Sequence, residues 1–596
     1  MFLITTSYKY SWCNKSDHIL FAREWCKLFS NKKSWEGLTY KVFPYHWLDG
    51  SKLYKDIQDL DNVYEKYLDI MVVNLNNLHE VDHTKRYWRI IIGPWLNDFL
   101  RLIFDYYTTI QDINNSQLVT NTFIIDTKIG DQIPQDFAAF HEYYSRPSYN
   151  HFLFGEVIKK TTSIPYQAIK NIEYGNVSKI FPSIGKKSLL AKMKRAIRYI
   201  ASFLYSSFLI PDKYKKIIFV SSYFNNKDLN CIQKGLNQLP MSLLFDPTLP
   251  SKKANLALRK RITFEHTDSN FEKLLHSLIP IQIPIAYVEN YKPYGKLAGL
   301  FFPKKPKSIF TANAYYYNEA FKFWSAKAME NDTKLLFSQH GGGIGTALWS
   351  QEEKHMVDSS NVFFTWGWGA DSKKIKNMPA SKLAYTKKNI SKGNPQGDIL
   401  CVTNSDIINY QHSQFPMPIE KHFVEYTNDI ISIHSFLSNE SKKYLKYRLY
   451  HTNYGRSQWG VEEKFIESGL ESFLDKGNVS FYDRVSECRL AIIVYGQNTT
   501  VYETLSANFP TMLFWNPSHW ELREDAKPYF NLLKECGIYH TNVQSLCQQI
   551  NKIHDDVDGW WLSDEIQNAI KAFCDQYAFT QESYISDWTN ELNNHI

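Results

Sequence analysis

The sequence predicts an α/β protein built from two Rossmann-like units, and three observations predict it. Short apolar runs of strand length alternate with longer amphipathic segments in both halves, as in largely parallel sheets covered by helices. The chain has 596 residues, too many for one ordinary core and enough for about two to four domains. Its hydrophobic fraction of 44% and charged fraction of 22% are those of a soluble globular protein with a sizeable core.

In the first half, residues 2–5, 70–73, 123–125, 217–221 and 308–311 read as strands. In the second half the strands are expected at 334–338, 362–366, 399–403, 446–450, 491–494 and 511–514. Segments rich in Pro, Lys and Gly at 250–253, 291–306 and 387–397 mark boundaries or surface loops. Residues 563–594 read as two helices.

The helix expected at 186–204 is the most distinctive. Leu189, Leu190, Met193, Ala196, Ile197, Ile200 and Leu204 fall on one stripe, while Lys187, Lys192, Lys194, Arg195 and Arg198 lie off it. Two readings fit: a core-facing helix with a solvated basic face, or a helix that docks on an anionic membrane.

A net charge of +7 is modest for this length. It does not by itself argue for a nucleic-acid binder, and no compact Lys/Arg stripe with stacking aromatics and no zinc-finger spacing supports one. The cysteines at 13, 26, 231, 401, 488, 536, 547 and 574 form no Cys-x-x-Cys pair and read as reduced thiols of a cytoplasmic protein. Met1–Ser7 reads as a first strand, not a signal peptide, and no apolar run approaches the roughly 18 residues that cross a bilayer. The expected location is the cytoplasm, at the inner face of the membrane if the basic helix docks.

Two segments carry the chemistry. Gln339-His340-Gly341-Gly342-Gly343-Ile344-Gly345-Thr346 follows the apolar run Leu335-Leu336-Phe337. Its glycines let backbone N–H groups approach an anion closely, and His340 offers a proton acceptor near neutral pH. The plain alternative is a tight turn with an incidental histidine. Far downstream, Tyr495-Gly496-Gln497-Asn498-Thr499-Thr500 opens a helix after a strand, with Glu503 one turn inside. Unpaired N–H groups at a helix start favour an anion, and the hydroxyls of Thr499 and Thr500 add hydrogen bonds to a phosphate. The alternative there is ordinary N-capping.

The order of Gln339-His340-Gly341-Gly342, the run Glu352-Glu353-Lys354-His355, then Thr499-Thr500 with Glu503 and Pro510 resembles the two-domain GT-B glycosyltransferases. Within that fold it most resembles a bacterial transferase family of O-antigen and surface-polysaccharide biosynthesis. Glu24-Trp25-Cys26 and the segment Arg86-Tyr87-Trp88-Arg89 through Leu96 are similar to that family too. The resemblance implies two Rossmann-like domains facing a central cleft: an acceptor-side domain at 1–325, a nucleotide-sugar domain at 326–575, and a terminal helix at 576–596 crossing back. It implies an activated-sugar donor, a glycan or lipid-linked glycan acceptor, and no metal or other cofactor.

By this resemblance Gln339, Gly341, Gly342, Gly343, Asn498, Thr499, Thr500 and Glu503 bind the donor, Glu503 through ribose hydroxyls. Arg448 is the candidate cation for the departing phosphate, against a plain salt-bridge reading. His340 takes the acceptor proton or holds the donor, and both roles stand open. The donor leaned to is a CMP-activated nonulosonic acid or Kdo, with UDP and GDP sugars left open. The alternatives are alditol phosphate transfer from a CDP donor, and a non-catalytic glycan-binding assembly protein. His79-Glu80-Val81-Asp82-His83 matches a zincin pattern, but no third ligand follows and a polar helix end is the better reading.

Overall fold

The computed structural model describes all residues except 13–17, 171–188, 207–209, 244–246, 370–371, 405–413, 451–458, 476 and 497. Among the described residues three sheets organise the chain. The first joins β1 (Phe2–Ile4), β2 (Ile19–Phe21), β3 (Tyr40–Val42), β4 (Asn121–Asp126) and β5 (Tyr166–Lys170) in the order β3-β2-β1-β4-β5. The second joins β6 (Ile217–Val220), β7 (Ser242–Leu243), β8 (Ser308–Thr311), β9 (Lys334–Ser338), β10 (Val362–Thr365) and β11 (Ile375–Asn377) in the order β11-β10-β9-β8-β6-β7. The third joins β12 (Asp398–Val402), β13 (Leu445–Arg448), β14 (Cys488–Ile493), β15 (Thr511–Phe514) and β16 (Tyr539–His540) in the order β13-β12-β14-β15-β16.

Every strand pairing named in these sheets is parallel. The strands β6, β8, β10, β14 and β15 are buried along their whole length, as parallel strands covered on both faces must be. The second and third sheets reverse their direction of growth beside their first strands, between β6 and β8 and between β12 and β14. Open parallel sheets bind ligands outside the carboxyl ends of their strands at such a reversal.

The division of the chain departs from the expected one. β8 and β9 pair in register, Ile309 with Leu335, so a boundary at 325 would fall inside one sheet. The segment between them is an ordinary crossover, carried by the helix Glu319–Met329. The chain changes sheets between β11 and β12, which includes the expected loop at 387–397. Residues 291–306 are no boundary, because they hold the helix Tyr291–Phe301 leading into β8. The first sheet is an α/β unit of its own ahead of the Rossmann-like pair, with strands mostly too short for sequence patterning to reveal.

The strand expected at 70–73 is instead part of the helix Gly50–His79. Leu53, Ile57, Leu60, Tyr64, Leu68, Met71 and Leu75 are all buried at helical spacing, and Val73 is 60% exposed. The long 3.6-residue period outweighs the local β preference of four residues. Asp49 caps this helix by accepting from the N–H groups of Ser51 and Lys52. Thr84 caps the next one, Lys85–Asn115, which buries Trp88 and Trp95.

The last helix, Tyr584–Asn593, lies against the helix Asn226–Gly235 of the second unit. Trp588 joins Phe224, Phe310 and Phe364 in one buried cluster and donates to the Pro379 carbonyl at 2.9 Å. The basic amphipathic helix spans Leu189–Ser206 and rests on the helix Tyr291–Phe301, with Tyr199 edge-on to Phe301. The described part of its apolar stripe does not face a core: Met193, Ile197, Ile200 and Leu204 are 45–62% exposed, while the side chains of Leu189, Leu190 and Ala196 lie outside what is described. The core-facing reading is therefore overturned. Residues 186–188 and the side chains of Lys192, Lys194, Arg195 and Arg198 lie outside what is described. Among the described residues no helix is long and apolar enough to cross a membrane.

Candidate functional site

The glycine turn follows β9 and is fixed from within by Gln339. That buried amide donates to the carbonyls of Gly341 and Ile344 at 3.0 and 3.1 Å, and accepts from the Trp366 N–H and the Trp368 indole at 3.1 and 2.8 Å. With these bonds made inside the protein, Gln339 shapes the turn and is not placed to bind a donor. Gly343 and Gly345 have φ of 83° and 88°, the left-handed region that favours glycine.

Gly342 makes the close approach that its sequence predicts, but to another part of the protein. A Cβ there would lie 2.5 Å from the Tyr502 ring and 2.6 Å from the Asn498 carbonyl carbon, and its N–H donates to Thr499 Oγ1 at 3.1 Å. Gly341 meets only Thr499 Oγ1, at an ordinary 3.5 Å. The turn of the second unit is thus seated on the start of the helix Thr499–Ser506 of the third. Thr346 and Tyr502 share a hydroxyl contact at 2.9 Å, and the Arg523 N–H donates to the Thr346 carbonyl at 3.0 Å, closing the same seam.

That helix stands beside the reversal point of the third sheet. Asn498 caps it by a long 3.4 Å bond from the Thr500 N–H, and Thr500 pairs with the Tyr495 hydroxyl at 3.2 Å. Gln497 lies outside the described residues. Glu503 is not open to a ribose. One turn past Thr499, its buried carboxylate faces the helix Ser381–Asn389 and is held by Lys382 Nζ at 3.3 Å and the Tyr482 hydroxyl at 3.1 Å. Arg448 is also committed elsewhere. On the edge strand β13 it pairs with Asp475 at 3.0 Å and donates to the Val479 carbonyl at 2.8 Å, so the salt-bridge reading holds for it.

His340 is brought to a carboxylate. Ser350 caps the helix Gln351–Ser359 by accepting from the Glu353 N–H at 3.2 Å. This start directs two acids at the glycine turn. Glu353 accepts from the Gly345 N–H at 2.8 Å and pairs with Arg523 at 2.8 and 2.9 Å. Glu352 lies 3.3 Å from His340 Nε2 and accepts from the Tyr315 hydroxyl at 2.9 Å. Burial alone would raise the Glu352 pKa, but His340 and these hydrogen bonds hold it below the usual carboxylate range. A Glu352 that accepts from Nε2–H leaves the lone pair on His340 Nδ1, and Nδ1 is shielded from solvent with no hydrogen-bond partner among the described residues. The Tyr223 ring stands 5.5 Å away, in a turn after β6 where Ser221 and Tyr223 have φ of 49° and 63°. Left-handed backbone at two non-glycine residues costs conformational energy and recurs at functional sites.

Beyond Glu352 opens a cavity of about 210 Å³ between the first and second units, lined in part by Tyr64, Asp98, His141, Tyr315, Glu352 and His355. Asp98 pairs with His141 Nε2 at 3.1 Å and accepts from the Gln414 amide at 2.9 Å. The other nitrogen of His141 meets the Tyr144 hydroxyl. Burial, reinforced by nearby Arg89 and Lys322, drives the His355 pKa down to about 3, so its imidazole is neutral against Tyr315. Glu352 and His355 were visible in sequence as an acidic and histidine run. Asp98 and His141 carry no local signal, since only folding sets them side by side.

Among the described residues, His422, Glu425 and His519 are the one set with metal-ligand spacing, their ligand atoms within 4.8 Å of one another. The zincin-like pair does not converge. His79 Nε2 is 2.9 Å from the Tyr287 carbonyl and His83 Nδ1 is 2.7 Å from Glu330, across the helix end at Glu80.

The chain is similar to the Anabaena protein HepE, solved in complex with UDP and glucose, at 10% identity over 64% of this chain and 98% of that one, with a TM-score of 0.32. It is similar to WaaG, a glycosyltransferase involved in lipopolysaccharide biosynthesis, at 11% identity over 56% and 84% of the two chains, with a TM-score of 0.23. No curated protein matches it. A family model matches residues 1–592, nearly the whole length, and by that match the chain belongs to the LIC12162 family of transferases.

Proposed function

We propose that this transferase is a glycosyltransferase that moves a sugar from a nucleotide-activated donor to a bacterial surface glycan, with His340 as general base. One observation carries the reading: at the carboxyl end of β9, His340 is held through one ring nitrogen by Glu352, which lines the cavity, while the other nitrogen has no partner among the described residues. The acceptor oxygen bonds to the anomeric carbon as that carbon's bond to the nucleotide phosphate breaks. The acceptor proton passes to Nδ1, and Glu352 stabilises the imidazolium that forms. Because Nδ1 is shielded, this step requires the ring to turn or the cleft to open.

The departing phosphate is met at the start of the helix Thr499–Ser506, where the Thr499 hydroxyl accepts from the Gly342 N–H and keeps its own hydrogen to donate, and where the Thr500 N–H is held only by the long 3.4 Å bond to Asn498, without a metal ion. The acceptor enters through the cavity, whose tyrosines and polar groups suit a hydroxylated ring. The donor placed first is a CMP-activated nonulosonic acid or Kdo, on the resemblance of the histidine-glycine turn and the Thr-rich helix start to transferases for such acids. The reaction is placed at the inner face of the membrane, where the exposed stripe of the helix Leu189–Ser206 brings the protein to a lipid-linked acceptor.

A thermal-shift screen against CMP, CDP, UDP and GDP, followed by product analysis with the corresponding donors, tests this. A nucleotide at 100 times its Kd stabilises the native state by about 2.7 kcal/mol. The expected result is a shift with CMP and a glycosylated product free of donor phosphorus. Phosphorus in the product would make the reaction alditol phosphate transfer. No shift with any nucleotide, together with a His340→Ala variant that keeps full function, would leave only a glycan-binding role.

A further inference from the structure

We propose that the groove between the helices Tyr291–Phe301 and Glu319–Met329 is a lipid-anchor site: it takes an acyl chain of an anionic membrane lipid, whose phosphate is held by lysines on the rim. The proposal rests on the membrane placement stated above and supplies the ligand that fixes it.

The groove encloses about 340 Å³, the lower end of the range of small-molecule sites. Its walls are apolar, among them Tyr291, Ala298, Phe302, Phe323 and Trp324. Its floor is cut by Gly295 and Gly299, one helical turn apart. A Cβ built on either would meet nothing within 4 Å. Glycine destabilises a helix interior relative to alanine. Among the described residues neither a left-handed backbone nor a close neighbour calls for it here. Both glycines keep the groove open.

Charge narrows the occupant. Lys292, Lys304 and Lys327 line the groove; Lys327 is paired with Glu330 at 3.6 Å, and among the described lining residues there is no Asp or Glu. Lys292 and Lys304 beside an apolar slot match an amphiphile with a chain and an anionic head, not a neutral hydrocarbon or a basic peptide. The neighbourhood points to a bilayer as its source. The helix Leu189–Ser206 rests on the groove's own helix, where Ser206 Oγ donates to the Phe301 carbonyl at 2.6 Å. That helix turns Met193, Ile197, Ile200 and Phe203 outward, and Leu300 of the groove helix is itself 56% exposed. An apolar face beside a lysine-rimmed slot suits the boundary between headgroups and acyl chains.

The lipid held here is an anchor and not the reacting acceptor. Asn331 and Ala328 on the groove wall precede β9, whereas His340 follows its far end. Five strand residues separate the two by roughly 16 Å.

Flotation of the full chain with vesicles tests the site. The wild type is expected to float with phosphatidylcholine vesicles that contain phosphatidylglycerol, and to stay in solution with phosphatidylcholine alone. Gly295→Leu/Gly299→Leu, which fills the groove where no atom stands in the way, should weaken binding to the anionic vesicles about tenfold or more, as should Lys292→Glu/Lys304→Glu. Unchanged thermal unfolding and an unchanged nucleotide-induced shift would show that fold and donor site are intact. If Gly295→Leu/Gly299→Leu floats like the wild type while Ile197→Ser/Ile200→Ser does not, the groove is not the site although the membrane reading stands. If the wild type binds neither vesicle, both fail. Equal binding to both vesicles would overturn the anionic headgroup.

Discussion

Two histidine–carboxylate pairs stand near one cavity, and they are not equivalent. His141 has both ring nitrogens engaged, by Asp98 and by the Tyr144 hydroxyl, and Asp98 is further bound by Gln414. His340 has one nitrogen on Glu352 and, among the described residues, no hydrogen-bond partner on the other. A satisfied pair stiffens an interior, because each buried polar group has its partner. A half-satisfied pair costs stability, and His46 on Asp105 is half-satisfied too, so it is the place of His340, at the carboxyl end of β9 beside the cavity, that marks it. The difference separates a support from a working group although both are built from the same residue types.

The widest gap between the two pairs should appear on substituting the histidines. His340→Ala is expected to lower turnover by roughly 10²–10⁴-fold, the usual weight of a general base, with little change in thermal unfolding. Glu352→Gln should lose less, because the amide can still orient the ring. His141→Ala should retain most turnover but lose about 1–3 kcal/mol of stability in denaturant unfolding, since it strips a partner from the buried Asp98. Equal losses of turnover from His340→Ala and His141→Ala would erase the distinction.

The seam that positions His340 offers the next test. Gly342→Ala pushes a methyl into Asn498 and Tyr502, and is expected to cost about 1–3 kcal/mol and to lower turnover with it. Gly341→Ala, with only an ordinary contact at Thr499, should be milder on both measures.

The last test lies at Glu420, which ties the third unit to the first by accepting from the Glu24 and Trp25 N–H groups at 2.7 and 3.4 Å. Burial raises its pKa to about 8, against the lowering effect of Arg23. A carboxyl raised in the folded state contributes stability that is complete below its unfolded pKa and is lost as pH rises through the folded one. Thermal stability should therefore decline from about pH 4.5 to about 8. Glu420→Gln should flatten that slope, and an unchanged profile would show that other groups set it.

Much of the fold was legible because its signals are local. The buried strands β6, β8, β9, β10, β14 and β15 stand out as short apolar runs between polar helices, and the sequence readings fall on them within a few residues. The reading of 70–73 failed because four β-preferring residues sat within a longer helical period whose buried stripe runs from Leu53 to Leu78. Tyr40–Val42 and Tyr539–His540 escaped notice because strands of two or three residues carry almost no pattern. At the site, Glu352 was in view, twelve positions from His340, while Asp98 and His141 were not.

By itself the sequence determined that parallel sheets alternate with helices, and that backbone at 341–345 must come close to something, because apolar spacing and missing side chains are written locally. It could not say what the glycines approach. The tertiary structure decided that Gly342 meets Thr499 and Asn498, that Glu503 is consumed by Lys382 and Tyr482, and that Arg448 is consumed by Asp475. Which polar group is left free depends on partners far away in the chain, and only packing brings those partners within hydrogen-bond reach.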